Sequence, residues 1–306
     1  MDSGRAAVVS GATGLVGRRL VAALVAAGRP VRILSRDPAQ ATRSLPDAIA
    51  FGWDGRRWPS DALAGADAVI HLSGEPVFGG LLTAARRARI RESRVGSTLA
   101  LVEALGSLAS AERPKTLLCA SAVGYYGNRG DAVLDESAGA GQGFLARLCT
   151  DWETAAAGAG ALGVRVVSLR IGIVLAREGG ALPMMAIPFR LGLGGPLGEG
   201  TQWVPWIAAS DLVRLVQRVL DDGSVCGPVN AVAPDPVRNE VLTRALARAL
   251  HRPAFLRAPA FALRLAFGEI AGELLGSRRC IPRRAESIGF TFEHATLESA
   301  LAAELA

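Results

Sequence analysis

Lysine is almost missing from this chain: Lys115 is the only one, and every other cation among the 34 basic residues is an arginine. Tyrosine is nearly as scarce, confined to Tyr125 and Tyr126. Aromatics make up 5% of the 306 residues, and the basic stretch Arg86, Arg87, Arg89, Arg91 and Arg94 has none beside it. The net charge of +6 therefore does not describe a nucleic-acid surface, and the stretch reads as a solvated helix face, with anion binding as the alternative. The four cysteines, Cys119, Cys149, Cys226 and Cys280, form no CxxC pair, and His71, His251 and His294 are equally scattered. No metal site and no disulfide framework is expected from such spacing. The apolar run 258–275 is interrupted by Arg264 and Glu269, which argues against a membrane span. Residues 1–10 pass directly into an apolar strand pattern, so no signal peptide is expected, and the expected location is the cytoplasm.

What is present is a large apolar complement, 50% of the chain, arranged in alternation. Short β-type runs at 6–10, 31–35, 68–72, 116–121 and 165–169 are separated by helix-period segments at 15–27, 83–110 and 144–162. Gly28 suits the position just beyond the first helix. This order predicts an α/β fold, a Rossmann-type doubly wound parallel sheet with helices on both faces. Beyond Gly179 the pattern changes. Residues 192–200 (GLGGPLGEG) read as a loop over a cleft or at a domain border, and 211–220, 239–250, 259–275 and 296–305 as helices. The expected division is a dinucleotide-binding domain over 1–178 and a smaller, mainly helical substrate lobe over 179–306, interleaved with the end of the sheet.

Ser10-Gly11-Ala12-Thr13-Gly14-Leu15-Val16-Gly17 places GxxGxxG between the first strand and the first helix. Gly11 permits the tight turn, Gly14 lets a pyrophosphate approach the backbone, and Gly17 allows close helix–sheet packing. The free N–H groups and positive dipole end of the helix complete an anion site. The second strand ends Leu34-Ser35-Arg36, without the acid that would bind adenine-ribose hydroxyls, and a guanidinium pairs well with a 2′-phosphate. NADP(H) is thus the expected cofactor and NAD(H) the lesser one, with Asp37 leaving some NAD tolerance. Leu72, Ser73 and Gly74, at the end of the strand read at 68–72, are expected at the cofactor ribose, while His71 reads as packed within that strand.

The chain resembles the extended branch of the short-chain dehydrogenase/reductase superfamily, and within it the epimerase family proteins (YfcH-like). The resemblance spans nearly the whole length. It rests on SGATGLVG (10–17), HLSGEP (71–76), SRV (93–95), SAVGYYG (121–127), WE (152–153), FRLGLGGPLG (189–198) and the QW and WI pairs within 202–207. PVNAVAPDPV (228–237), ALHRPAFL (249–256) and GFTF (289–292) resemble that family's C-terminal domain of unknown function. The resemblance implies NADP(H)-dependent oxidoreductase or nucleotide-sugar-epimerase-like chemistry on a small molecule. It also implies a Tyr-x-x-x-Lys pair, in which a cation lowers the pKa of the tyrosine acid/base. This sequence lacks the pair: counting back from Trp152-Glu153, the tyrosine position falls at Leu145 and the lysine position at Cys149. The remaining catalytic candidates are Ser121, Tyr125, Tyr126, Cys149 and Glu75. Ser121 and Cys149 are also candidates for contact with the cofactor, and Cys149 reads equally well as a buried structural thiol. The alternative to an enzyme is a non-catalytic NADP(H)-binding sensor or scaffold; a homodimer is compatible with either.

Overall fold

The computed structural model describes residues 6–305. Seven strands, β1 (Ala7–Ser10), β2 (Val31–Ser35), β3 (Ile49–Gly52), β4 (Ala68–His71), β5 (Thr116–Ala122), β6 (Arg165–Ile171) and β7 (Gly227–Ala231), form one sheet. Its order is β7-β6-β5-β4-β1-β2-β3 and every pairing is parallel. The chain builds outward from β1 to β3 and then returns to place β4 on the other side of β1. Ligands of such sheets lie at that reversal, beyond the C-terminal strand ends.

Successive strand residues point to opposite faces, and each face has its own core. Val9, Ile33, Ile70, Leu118 and Val167 pack with Leu20 and Leu24 of α1 (Leu15–Ala26) and with Leu212, Leu215 and Val216 of the helix Ala209–Asp221. Val8, Val69, Leu117 and Cys119 pack on the other side with Leu101, Leu105, Leu148 and Trp152. The near-continuous apolar runs of the central strands follow from this two-sided burial. Helix α1 stops where the sequence suggests, with Gly28 at φ +73° donating to the Val25 carbonyl at 2.8 Å.

The last strand, β7, enters the sheet from the second half of the chain. A third core holds that half together, with Leu182, Phe189, Trp206, Leu242, Leu246 and Leu301. Short pairs staple it: Trp206–Ala208 beside Ile173–Leu175, and Arg279–Cys280 beside Val133–Leu134. Residues 192–200 form a loop, as their glycines imply.

Several elements differ from their expected extents. The strands β3 and β7 were not evident from apolar runs; β3 is an edge strand with exposed and half-buried residues. The 83–110 segment is not one helix but Ala84–Arg91, a π-turn at Glu92–Gly96, and Ser97–Ser107. The hydroxyls of Ser93 and Ser97 donate to the Ile90 and Ser93 carbonyls at 2.9 and 2.8 Å, the local competition that disturbs a helical ladder. The 259–275 run is split at Gly268 (φ +58°) into Ala260–Phe267 and Ile270–Leu275. The reading of residues 1–10 reaches outside the described residues at 1–5. Among the described residues, no helix is long and apolar enough to cross a membrane.

Candidate active site

Three groups of residues meet along the C-terminal edge of the sheet. The first is the glycine turn. Gly11 has φ +72°, and a Cβ there would stand 2.9 Å from the Ser73 nitrogen, so β1 and the β4 loop approach too closely for any side chain. Gly17 is tighter still: its Cβ would lie 2.1 Å from the Gly11 carbonyl oxygen. Ala12 and Gly17 are buried, while Thr13 and Gly14 face outward and Leu15 and Val16 are half-buried. No side chain caps the N-terminus of α1, so its first N–H groups have no side-chain acceptor, the arrangement that suits an anion.

The second group surrounds the end of β2. Ser35 and Asp37 engage one another, and the Asp37 carboxylate accepts the Gln40 N–H at 2.9 Å as the N-cap of the helix Pro38–Ser44. Beside them Arg36, Gly52, Trp53, Asp54 and Arg57 line an open pocket of about 630 Å³. Asp54 is held by the backbone N–H groups of Arg56 and Arg57, both at 2.8 Å, which sets the turn that carries Arg57. The indole N–H of Trp53 is buried without a protein partner.

The third group spans the ends of β4, β5 and β6. His71 is fully buried, with Nδ1 2.7 Å from Ser10 Oγ and Nε2 3.1 Å from Ser97 Oγ. Burial, helped by the charge of Arg94, pushes its pKa down to about 3. The folded protein therefore keeps a neutral imidazole, while the unfolded chain takes up a proton below about pH 6.5. Stability contributed by this group is complete above that pH and falls as pH drops toward 3, by at most ~1.4 kcal/mol per pH unit. Urea unfolding of His71→Asn should accordingly show a shallower loss than wild type between pH 6.5 and 4; parallel curves would remove His71 as the cause.

At the β5 end, Ser121 donates to Glu153 Oε1 at 2.6 Å. Arg170 meets the same carboxylate with Nε and Nη2, each at 2.9 Å, and Nη1 donates to the Tyr126 hydroxyl at 3.0 Å. That hydroxyl donates in turn to Asn230 Oδ1 at 2.6 Å. Tyr126 is fully buried, and burial raises its pKa above the usual phenol value. The Tyr125 ring is half-buried, with the Arg170 guanidinium carbon 3.5 Å from its centroid. Cys149 is buried beside Ser121; burial first, and then the Glu153 charge, push its thiol up to about 11. Leu145 and Cys149 both border Gly124.

Ser121, Tyr125, Tyr126 and Cys149 thus lie together, joined by Glu153 and Arg170. Leu72 and Ser73 lie against Gly11, Gly74 lies against the Arg94 guanidinium, and Arg36, next after Ser35 of β2, lines the pocket at that end. Glu75 is exposed; its backbone rather than its carboxylate is engaged, by Ser93 and Arg94. The roles of Glu153, Arg170 and Arg57 were missed by sequence reasoning, as was Arg94 beyond its place in the basic stretch. A charged residue inside the buried run of β6 is the signal that points to Arg170. The basic stretch is largely stapled: Arg86 donates to the Pro76 carbonyl, Arg87 pairs with Glu269 and Arg91 with Asp151.

Residues 7–231 match the NAD dependent epimerase/dehydratase family, and residues 258–304 a domain of unknown function, DUF1731. The chain is 42% identical over 295 residues to epimerase family protein Mb2239 of Mycobacterium bovis, covering 96% of this chain and 95% of that one. Among solved structures it is similar to human epimerase family protein SDR39U1 (isoform 2) with NADPH. That similarity has 31% identity and a TM-score of 0.85, and covers 98% of this chain and 99% of that one. It is also similar to a nucleoside-diphosphate sugar epimerase of Corynebacterium glutamicum, at 36% identity and a TM-score of 0.80, over 99% of this chain but 59% of the other.

Proposed function

The chain belongs to the NAD-dependent epimerase/dehydratase family, and we propose that it binds NADP(H) in preference to NAD(H) and acts on a small molecule without a lysine-activated tyrosine. The observation that carries the cofactor preference is the pocket at the β2 end, where Arg36 and Arg57 face one opening, the one acid lining it, Asp54, has a carboxylate oxygen taken by the N–H groups of its own turn, and no acid occupies the last strand position. Two guanidinium groups suit a dianionic 2′-phosphate, through charge-assisted and bidentate hydrogen bonds. The NADPH in the similar human protein supports the same reading.

Titration with NADPH and NADH tests it. Arg36→Gln and Arg57→Gln should each weaken NADPH by about ten- to a hundredfold and leave NADH nearly unchanged. Equal affinities in the wild type would end the preference, and binding of neither nucleotide would end the cofactor reading.

When bound, the nicotinamide supplies hydride chemistry; the chain supplies orientation and proton handling. Ser121, with its hydroxyl on Glu153, and Tyr125, against the Arg170 guanidinium, are the groups at the β5 edge for that work. A second reading, a non-catalytic NADP(H) sensor, is favoured by Leu145 and by the Cys149 thiol at about 11, since neither acts as an acid/base near neutral pH. NADPH consumption across aldehydes, quinones and nucleotide-sugars separates the two. Turnover that Tyr125→Phe or Ser121→Ala abolishes supports the enzyme, and no turnover with tight NADPH binding supports the sensor.

A further inference from the structure

Arg94 projects from the π-turn Glu92–Gly96, a local rewinding of the kind found at functional sites. Its guanidinium carbon stands 5.3 Å from the centroid of the Trp152 ring. It also presses on Gly74, where an added Cβ would lie 2.9 Å from Cζ. Nη1 donates to the Glu75 carbonyl at 2.8 Å, with weaker approaches to the Ile90 carbonyl and Ser93 Oγ. Among the described residues no carboxylate pairs with it, and Nε and Nη2 make no hydrogen bond. The neighbouring Cys149 does not neutralise it, because that thiol stays protonated at ordinary pH. The half-buried cation feels the charge of the exposed Glu75 carboxylate without a salt bridge to it, so its free edge can take an anion through charge-assisted hydrogen bonds.

The position says which anion. Gly74 follows Ser73, whose nitrogen lies 2.9 Å from where a Gly11 Cβ would be. The Gly74 that the guanidinium touches is therefore next in sequence to the residue that meets the glycine turn, whose helix N-terminus is uncapped. That turn offers N–H groups and a dipole, but its own basic neighbour, Arg18, is exposed with Nε on the Thr13 carbonyl. We infer that Arg94 is a cofactor-binding residue whose unengaged guanidinium edge takes an oxygen of the cofactor diphosphate, opposite the helix N-terminus. This rests on the NADP(H) reading above, and it differs in consequence: the diphosphate is common to NADPH and NADH, whereas the Arg36 pocket serves the 2′-phosphate alone.

Arg94→Gln, Arg94→Lys and wild type are titrated with NADPH, NADH and adenosine 2′-monophosphate, with thermal melts as the folding control. Arg94→Gln should weaken both dinucleotides by about ten- to a hundredfold, leave adenosine 2′-monophosphate unchanged, and flatten the salt dependence of dinucleotide binding. Arg94→Lys should fall between, keeping the charge but losing the fork. If Arg94→Gln does not fold, Arg94→Met, which keeps an apolar stem against Trp152, should produce the same paired loss. Dinucleotide affinities within about twofold of wild type in a folded Arg94→Gln or Arg94→Met would overturn the assignment. So would a loss confined to NADPH. A wild type that binds neither dinucleotide overturns the cofactor reading itself, before any variant is compared.

Discussion

Arg170→Met should lower the unfolding free energy by about 3–5 kcal/mol, because it strips the partner from a carboxylate that has little water to turn to. The side chains of Arg170 and Glu153 are 4% and 15% exposed, and the guanidinium forks both carboxylate oxygens at 2.9 Å. With methionine in place, Glu153 retains only the Ser121 hydroxyl, and the buried Tyr126 hydroxyl loses its donor. Glu153→Gln, which keeps an acceptor for Ser121 and removes the charge to be paired, should be milder for the Glu153 side but leaves Arg170 buried. The double variant Arg170→Met/Glu153→Leu should recover part of the loss, since an apolar replacement of a buried pair is often near neutral. Urea midpoints at constant m-value give the answer. A loss below about 1 kcal/mol for Arg170→Met would mean that the pair behaves as an exposed one. The same variant also frees the Tyr125 ring, so reduced stability and a changed β5 edge are expected together.

The sheet was legible because burial on both faces writes long apolar runs into the central strands, and the glycine turn was legible because its spacing is set by backbone contact. Gly11 and Gly17 are irreplaceable for reasons internal to the fold, and such reasons repeat wherever a strand turns into a helix in this way. The edge strand β3 carries no such run, being half exposed, and the Arg57 loop that follows it was invisible for the same cause. Glu153 and Arg170 lie on different elements, 17 positions apart, and only the packing of the helix Phe144–Ala157 against β5 and β6 brings them together. Arg94 was visible as one arginine of five in a basic stretch; its distinction comes from the π-turn, which periodicity over 83–110 did not disclose. Tyr126 illustrates the converse. A tyrosine beside a strand end is a natural candidate for chemistry, yet its hydroxyl is occupied by Arg170 and Asn230 inside the core.

Gly17→Val and Gly14→Ala should separate architecture from binding within one eight-residue turn. At Gly17 the first added carbon would sit 2.1 Å from the Gly11 carbonyl oxygen and 2.7 Å from the Ala12 Cα, so the backbone of the turn itself must move. No flexible side chain is available to give way. A valine there should cost about 3 kcal/mol or more, the upper end for overpacking, and lower the melting temperature with or without nucleotide. Gly14 is different. Its φ of −75° suits any L-residue, it is exposed, and a Cβ meets only the Gly11 carbonyl, at 3.2 Å. Alanine at this N-cap should leave the apo protein within about 1 kcal/mol of wild type. What it adds is a methyl group where the backbone is left open beside the uncapped helix N–H groups, so NADPH and NADH should both weaken, by about tenfold or more. The order of effects is the test: Gly17→Val unfolds first and loses nucleotide as a consequence, while Gly14→Ala loses nucleotide with its melting curve intact. A folded Gly14→Ala that binds both dinucleotides as wild type does would move the diphosphate away from this turn, and the Arg94 assignment would go with it.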